Sequence, residues 1–398
     1  MSQIAKTIKP LCIEPQRIFT PTACLEDACV ITNEGGSIDY VGPKSCAPDK
    51  NGFESIQAPD LWLAPGFIDI HTHGGNGIAF GVGNNLAEDL EAYSQWMLKS
   101  GVTGFICSVV ASSSREFNKI LAAYVPLFEK GSGGARALGL HLEGPFLNPQ
   151  KKGVFILKWL RTPSLKEARE YIRIGGKWIR QVSLAPELDG SLDVAREFRK
   201  VNITVALAHS DSDYDTACSA LMGDFTHVTH TFNCLPGFNH RALGAVGAIL
   251  NSDEITAELI CDDNLVHPGA MRMLLRCLGP ERVVIITDAS TGAGLPDGSY
   301  ELLGQKIIVK GGKSILENGT LAGSTALLNQ CVRNVHQMAG ASVQEAIRMA
   351  TTNPARVIGL ERQMGLIASG RLADLILMDD QFEIQMAMVG GNILFNQL

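Results

Sequence analysis

From about Pro65 to about Leu360 the chain alternates short apolar runs with amphipathic stretches, the pattern of parallel strands joined by helices. Eight runs read as strands: Phe67 to His73, Gly104 to Val110, Leu138 to Glu143, Ile179 to Leu184, Ile203 to His209, Phe225 to His230, Thr256 to Asp262 and Val283 to Asp288. Eight is the number that closes a (β/α) barrel. Between them, Leu86, Leu90, Tyr93, Met97 and Leu98 share one helical face, and so do Ile120, Ala123, Leu127 and Phe128. Pro268 with Gly269 opens a further helix where proline is tolerated. An open dinucleotide-binding sheet is disfavoured, because no Gly-x-Gly-x-x-Gly turn follows the first strand.

Outside this span the pattern changes. Residues 1 to about 60 break into short β segments (KPLCIEP, ACVITNEGGS, IDYVGP), and ADLILMDD and EIQMAMVGGNILF return to that style at the other end. The expected fold is therefore α/β: a (β/α)8 TIM barrel at 63–362 and a small β-sandwich domain built from both termini, 1–62 and 363–398. The stretch YELLGQKIIVKGGKSILENG (300–319) alternates around glycine turns. It predicts a β excursion after the eighth strand that either covers the site or only packs on the barrel.

Composition narrows the class. A length of 398 residues accommodates a large domain and a smaller one. With 45% hydrophobic and 19% charged residues and no low-complexity tract, the chain reads as an ordinary globular protein. A net charge of -7 without a basic stripe argues against nucleic acid as a partner. No apolar run is long enough to span a bilayer, and MSQIAKTIKPLCIEP lacks the apolar core of a signal peptide. The expectation is a cytoplasmic enzyme with no membrane contact. Ten scattered cysteines, none in a Cys-x-x-Cys pair, read as small hydrophobes in a reducing compartment and not as a zinc site.

The candidate chemistry gathers at strand ends. In PGFIDIHTHGG, His71 and His73 are two apart on a strand and so emerge on one face, with Thr72 turned away. Alone, such a pair usually only makes hydrogen bonds at a strand end. Five of the eight predicted strands, however, end in a metal-competent side chain: His71 with His73, Glu143, His209, His230 and Asp288. Barrel active sites lie at that rim, so these groups converge there. Nitrogen and carboxylate donors suit one or two divalent ions, whether zinc, iron or manganese. One ion fits between His71, His73 and Asp288, and a second among His209, His230 and a bridging Glu143. His141 reads as a packed interior group, His227, His267 and His336 as core or loop histidines, and Glu187 as a carboxylate orienting a ligand imidazole.

These blocks, PGFIDIHTHG, HLEGPFLNPQKKG (141–153), LAPE (184–187), ALAHS (206–210), THTFNCLPGFNHR (229–241), TDAS (287–290) and NGTLAGS (318–324), resemble the amidohydrolase superfamily. More closely, they resemble its N-acetylglucosamine-6-phosphate deacetylases, from about Ala58 to the C-terminus. The resemblance implies metal ligation by Glu143, His209 and His230, and Asp288 as the catalytic acid/base. His71 and His73 are retained in only some members, those able to hold a second ion. It implies substrate contacts from Val154, Asn233, Cys234 and the turn Leu321, Ala322, Gly323. It also implies a homodimer in which Arg241 binds the sugar phosphate in the neighbouring subunit, a role suited to its planar two-pronged fork.

Two positions depart from the family. Leu265 stands where members carry a substrate-binding histidine, and Phe155 where they carry one that polarises the amide carbonyl. The leading expectation is deacetylation of N-acetylglucosamine 6-phosphate. The alternatives are another N-acyl amine, such as the galactosamine isomer or an unphosphorylated compound, and a barrel that has lost catalysis and serves as a scaffold.

Overall fold

The computed structural model describes residues 9–49, 52–83, 85–110 and 112–398. Residues 1–8, on which the reading of the N-terminal segment depends, lie outside them. Eight parallel strands pair in chain order: β1 (Phe67–Thr72), β2 (Val102–Val110), β3 (Arg136–Glu143), β4 (Ile179–Leu184), β5 (Thr204–Leu207), β6 (His227–Val228), β7 (Thr256–Ile260) and β8 (Val283–Ile286). The ring closes at its rim, where the Asp288 N–H donates to the His71 carbonyl and the His73 N–H to the Ala289 carbonyl, both at 2.9 Å. Each strand is followed by a helix: α1 (Leu86–Met97), α2 (Ser114–Lys130), α3 (Leu165–Gly175), α4 (Ser191–Arg199), α5 (Tyr214–Leu221), α6 (Gly244–Leu250), α7 (Pro268–Leu278) and α8 (Leu328–Ala339). Barrel strands are covered on both faces, which is why runs such as Val283–Ile286 are wholly apolar and wholly buried.

Five strands stop short of their predicted ends, β1 by one residue at Thr72 and β5, β6, β7 and β8 by two. β5, β6 and β8 end at Leu207, Val228 and Ile286, each two residues before His209, His230 and Asp288. At those three residues φ is +42°, +30° and +48°. A left-handed backbone cannot continue a ladder, so the chain leaves the sheet at the residue that carries the functional group. The conformation costs a non-glycine residue about 1–3 kcal/mol, and such costs concentrate at functional sites.

The helices follow the apolar pattern with one change of face. In α1, Leu90, Tyr93 and Met97 are buried. In α2 the buried stripe is Phe117, Leu121, Tyr124 and Phe128, while Ala123 is exposed and Ile120 and Leu127 sit at the margin. Two aromatic rings carry more apolar area than Ala123 and turn the helix toward themselves.

The chain ends build one sheet together. Strands Leu11–Phe19, Ala28–Thr32, Ile38–Pro43 and Glu54–Pro65 continue into Leu375–Met378, Ile384–Val389 and Asn392–Asn396. The joint is the antiparallel pairing of Leu63 with Leu377. Ile13, Val30, Leu63, Leu375 and Met386 from both halves meet in one buried cluster, so the fold is a (β/α)8 barrel with a small β domain.

A last feature fixes the loop after β3. The Arg161 guanidinium donates to Glu167 Oε2 at 2.7 Å, to the Ser112 carbonyl at 2.9 Å and to the Trp159 carbonyl at 2.8 Å, and Tyr171 Oη donates to Glu167 Oε2 at 2.6 Å. Burial pushes the Glu167 carboxyl up, and the bonds from Arg161 and Tyr171 more than reverse this, leaving it below the usual carboxylate range. Arg161→Met strands these acceptors and is expected to cost about 2 kcal/mol, measured as a lower denaturant midpoint. Glu167→Gln is expected to cost less, because it leaves an acceptor in place.

Candidate metal centre and substrate pocket

The six candidate donors meet at the barrel mouth. His71 Nε2 lies 3.3 Å from His73 Nε2, and His209 Nε2 lies 3.1 Å from His230 Nε2. Glu143 stands between the pairs. Its Oε1 is 3.1 Å from His230 and 3.5 Å from both His71 and His209, while its Oε2 is 3.1 Å from His73. Asp288 Oδ1 is 3.3 Å from His73 Nε2 and 3.5 Å from His71 Nε2. Two groups of three thus form, His71, His73 and Asp288 beside Glu143, His209 and His230.

The donor chemistry fits divalent ions. His73 Nδ1 faces the Ser108 carbonyl at 3.2 Å and His209 Nδ1 the Lys151 carbonyl at 2.7 Å. A carbonyl only accepts, so each Nδ1 carries a proton and Nε2 is the nitrogen turned toward the other donors. Nε2 atoms set this close to one another and to carboxylates need positive charge between them, supplied by protons or by a bound ion. Nitrogens about 2.05 Å from one tetrahedral ion would lie about 3.3 Å apart, close to the separations seen. Burial pulls the His71 and His73 imidazoles down, but Glu258, Glu143 and Asp288 around His71, and Asp288 and Glu143 around His73, prevail and hold the two up at about 9 and about 10. The cluster therefore favours positive charge.

The carboxylate that orients the imidazoles is Glu258, inside β7, and not Glu187. Glu258 is fully buried and its Oε2 lies 2.7 Å from His71 Nδ1 and accepts from the His230 N–H at 3.0 Å. Its Oε1 accepts from Gln181 Nε2 at 2.8 Å and lies 3.2 Å from His227 Nε2. Glu187 instead accepts from Asn148, Ser210 and the Asp211 N–H, tying the loops after β3 and β5. His141, between the Ser108 and Ser183 hydroxyls at 2.9 and 2.7 Å, is pulled well below its usual range by burial and then by His71. His267 caps α7 by accepting from the Gly269 N–H, and His336 lies 2.7 Å from the Ala341 carbonyl.

Above the donors opens a cavity of about 260 Å³ reached by His73, Glu143, His209, His230 and Asp288. Val154, Asn233, Cys234, Leu265, Leu321 and Gly323 line it, as does Phe155, whose ring packs edge-on against His209 with centroids 5.0 Å apart. Ala322 does not. It alternates to the far side of its strand and is buried with Leu302, Ile307 and Leu316. Arg241 does not either: it is exposed on the loop after β6, away from its own chain's pocket.

The excursion covers the mouth. Its strands β9 (Gly298–Leu302), β10 (Gln305–Lys310), β11 (Lys313–Leu316) and β12 (Leu321–Ser324) form an antiparallel sheet joined to the end of β8 by the Ser324 N–H on the Asp288 carbonyl at 2.8 Å. Gln305 Nε2 donates to the Val154 carbonyl at 2.8 Å, and Leu302, Leu303 and Thr320 add to the cavity wall. Gly323 allows the close approach, since a Cβ there would stand 2.8 Å from the Asp288 carbonyl oxygen at φ +70°. Sequence reasoning missed the wall residues Ala79, Phe80, Val110, Ser290 and Leu303. Only their positions at or just after the ends of barrel strands, or in the excursion, marked them.

The chain belongs to the amidohydrolase family, whose model matches residues 62–394, and it is a metal-dependent hydrolase. Within that family its place is among the N-acetylglucosamine-6-phosphate deacetylases. It is 31% identical over 385 residues to the N-acetylglucosamine-6-phosphate deacetylase of Vibrio furnissii, covering 97% of this chain and 95% of that one. It is 33% identical over 331 residues to the N-acetylgalactosamine-6-phosphate deacetylase of Escherichia coli O157:H7, covering 83% and 87%. Its fold matches a Mycobacterium smegmatis N-acetyl-D-glucosamine-6-phosphate deacetylase mutant, solved with N-acetyl-D-glucosamine-6-phosphate, with a TM-score of 0.89 at 26% identity and coverage of 98% and 100%. Among the described residues no helix is long and apolar enough to cross a membrane.

Proposed function

We propose that this protein hydrolyses the amide of N-acetylglucosamine 6-phosphate, giving glucosamine 6-phosphate and acetate. The observation that carries the reading is the convergence of four imidazoles and two carboxylates beneath one cavity, in a chain similar along nearly its whole length to deacetylases of that substrate. His71, His73 and Asp288 would hold one divalent ion and His209, His230 and Glu143 another, with zinc, iron or manganese all compatible. Such an ion supplies water ionised near neutral pH and polarises a carbonyl. Asp288 takes the proton from the attacking water and returns it to the nitrogen of the leaving amine. Asn233, Cys234, Val154, Leu265, Leu321 and Gly323 contact the sugar and its acyl group, with Ala322 supporting that turn from behind. The protein acts in the cytoplasm.

No lysine or arginine lines the cavity of the single chain, among the described residues. Arg241, exposed on its loop, would bind the phosphate in the other subunit of a homodimer. Arg241→Ala is expected to raise KM for the phosphorylated substrate about 10- to 100-fold, the worth of a charged hydrogen bond, and to leave KM for the unphosphorylated sugar unchanged. Adding metal at about 1,000 times its dissociation constant to metal-free protein is expected to stabilise it by about 4 kcal/mol, read as a higher unfolding midpoint.

A second reading keeps the chemistry and changes the substrate to N-acetylgalactosamine 6-phosphate or an unphosphorylated N-acyl compound. The apolar wall contributed by Phe155 and Leu265 favours it. An acetate-release screen across N-acetyl sugars with and without the 6-phosphate, on protein of known metal content, separates the two. Equal kcat/KM with and without phosphate rejects the first, and no acetate from any of them rejects both.

A further inference from the structure

The rim of this site is divided into two unlike arcs. Asn233, Asp288, Ser290 and Thr320, after β6 and β8, set polar groups among Leu265, Leu302 and Leu321 in one arc. The end of β2 and the loops after β1 and β3 give the other arc Ala79, Phe80, Val110, Gly153, Val154 and Phe155 beside the ligands themselves, with no polar side chain among them. Behind that apolar arc lies a second cavity of about 190 Å³. Phe80, Val110, Phe155 and Leu303 line both cavities, and Ile120, Ile156 and Trp159 extend the second one outward. None of its lining residues is charged, and Ser112 carries its only hydroxyl.

A substrate amide must place its carbonyl carbon over the donors, and its two substituents then leave in different directions. The hydroxyl-rich sugar matches the polar arc. The acyl group is left with the apolar arc and the cavity behind it. An acetyl methyl fills little of that space, and burying each further methylene is favourable. We infer that the cavity lined by Phe80, Val110, Phe155, Leu303, Ile120 and Ile156 is a subsite for an N-acyl chain longer than acetyl, so that the enzyme takes N-acyl amino sugars with short fatty acyl groups. This deepens the proposed amide hydrolysis and rests on it. The balance is unchanged: the acyl C–N bond breaks, oxygen from water joins the acyl carbon, the amine leaves with the proton, and the second product is a longer carboxylic acid.

The test is a series of N-acetyl, N-propionyl, N-butyryl and N-hexanoyl glucosamine 6-phosphates with the metal-loaded full chain, following release of the free amine. Expected is a rise in kcat/KM of about fourfold per methylene, or about fifteenfold from acetyl to butyryl. Ile156→Trp, which fills the second cavity, is expected to bring the butyryl-to-acetyl ratio to one or below. Ile120→Trp fills it from α2 and is read in the same way. A ratio within one variant does not depend on how much of that variant is folded or loaded. A wild-type ratio of one or less, with acetate still released, overturns the subsite and leaves the proposed function standing. A high ratio that neither tryptophan moves also overturns it. Absence of amine release from every member overturns the proposed function and the subsite together.

Discussion

Asp288→Asn is expected to lower kcat for acetate release by about 10³-fold, within the range of a lost general acid/base, while KM changes little. The side chain reaches the cavity with Oδ1 3.3 and 3.5 Å from the Nε2 atoms of His73 and His71, the only carboxylate besides Glu143 lining it among the described residues. Glu143 is engaged by all four imidazoles, which leaves Asp288 the freer of the two to carry a proton. Asparagine keeps the shape and one oxygen donor but cannot accept the proton of the attacking water. Metal content measured on the same preparation separates loss of proton transfer from loss of the ion. Turnover within about threefold of wild type, at full metal content, would remove Asp288 from the reaction.

The rim donors were legible because a barrel imposes one rule on every strand: a polar side chain at the end of a buried apolar run lands at the same mouth. His71 and His73 required only the two-residue period of a strand. Strand ends were less legible, since a left-handed turn at His209, His230 or Asp288 leaves no mark in residue type; none of the three is a glycine. Glu258 went unmarked for another reason. Inside the run TAELI it reads as one polar residue in a core strand, and its partners His71 and Gln181 are 187 and 77 residues away. Asp69 is the same case, with its carboxylate 2.6 Å from the Thr287 hydroxyl and pushed up to about 7 by burial. Ala322 shows the converse, where a motif names three neighbours but strand alternation turns the middle one away.

Glu258→Ala should be the most destabilising single substitution near the site, at about 3–5 kcal/mol, the cost of breaking one side of a buried charged network. The carboxylate is wholly enclosed, and its removal leaves His71 Nδ1, the Gln181 amide, His227 Nε2 and the His230 N–H without their acceptor. Burial pushes this carboxyl up, and the charges and hydrogen bonds of His71 and His227 outweigh that and hold it well below the usual carboxylate range. The same bond fixes the His71 ring so that Nε2 faces Glu143 and Asp288. Loss of such an anchor typically weakens metal binding about 10- to 100-fold. Denaturant unfolding of metal-free protein reads the first effect and metal titration the second. Glu258→Gln, which keeps one acceptor oxygen, should recover part of the stability and less of the affinity, because an amide cannot offset the charge on His71. If Glu258→Ala unfolded at the wild-type midpoint and bound metal unchanged, the second layer of the site would lie elsewhere than in β7.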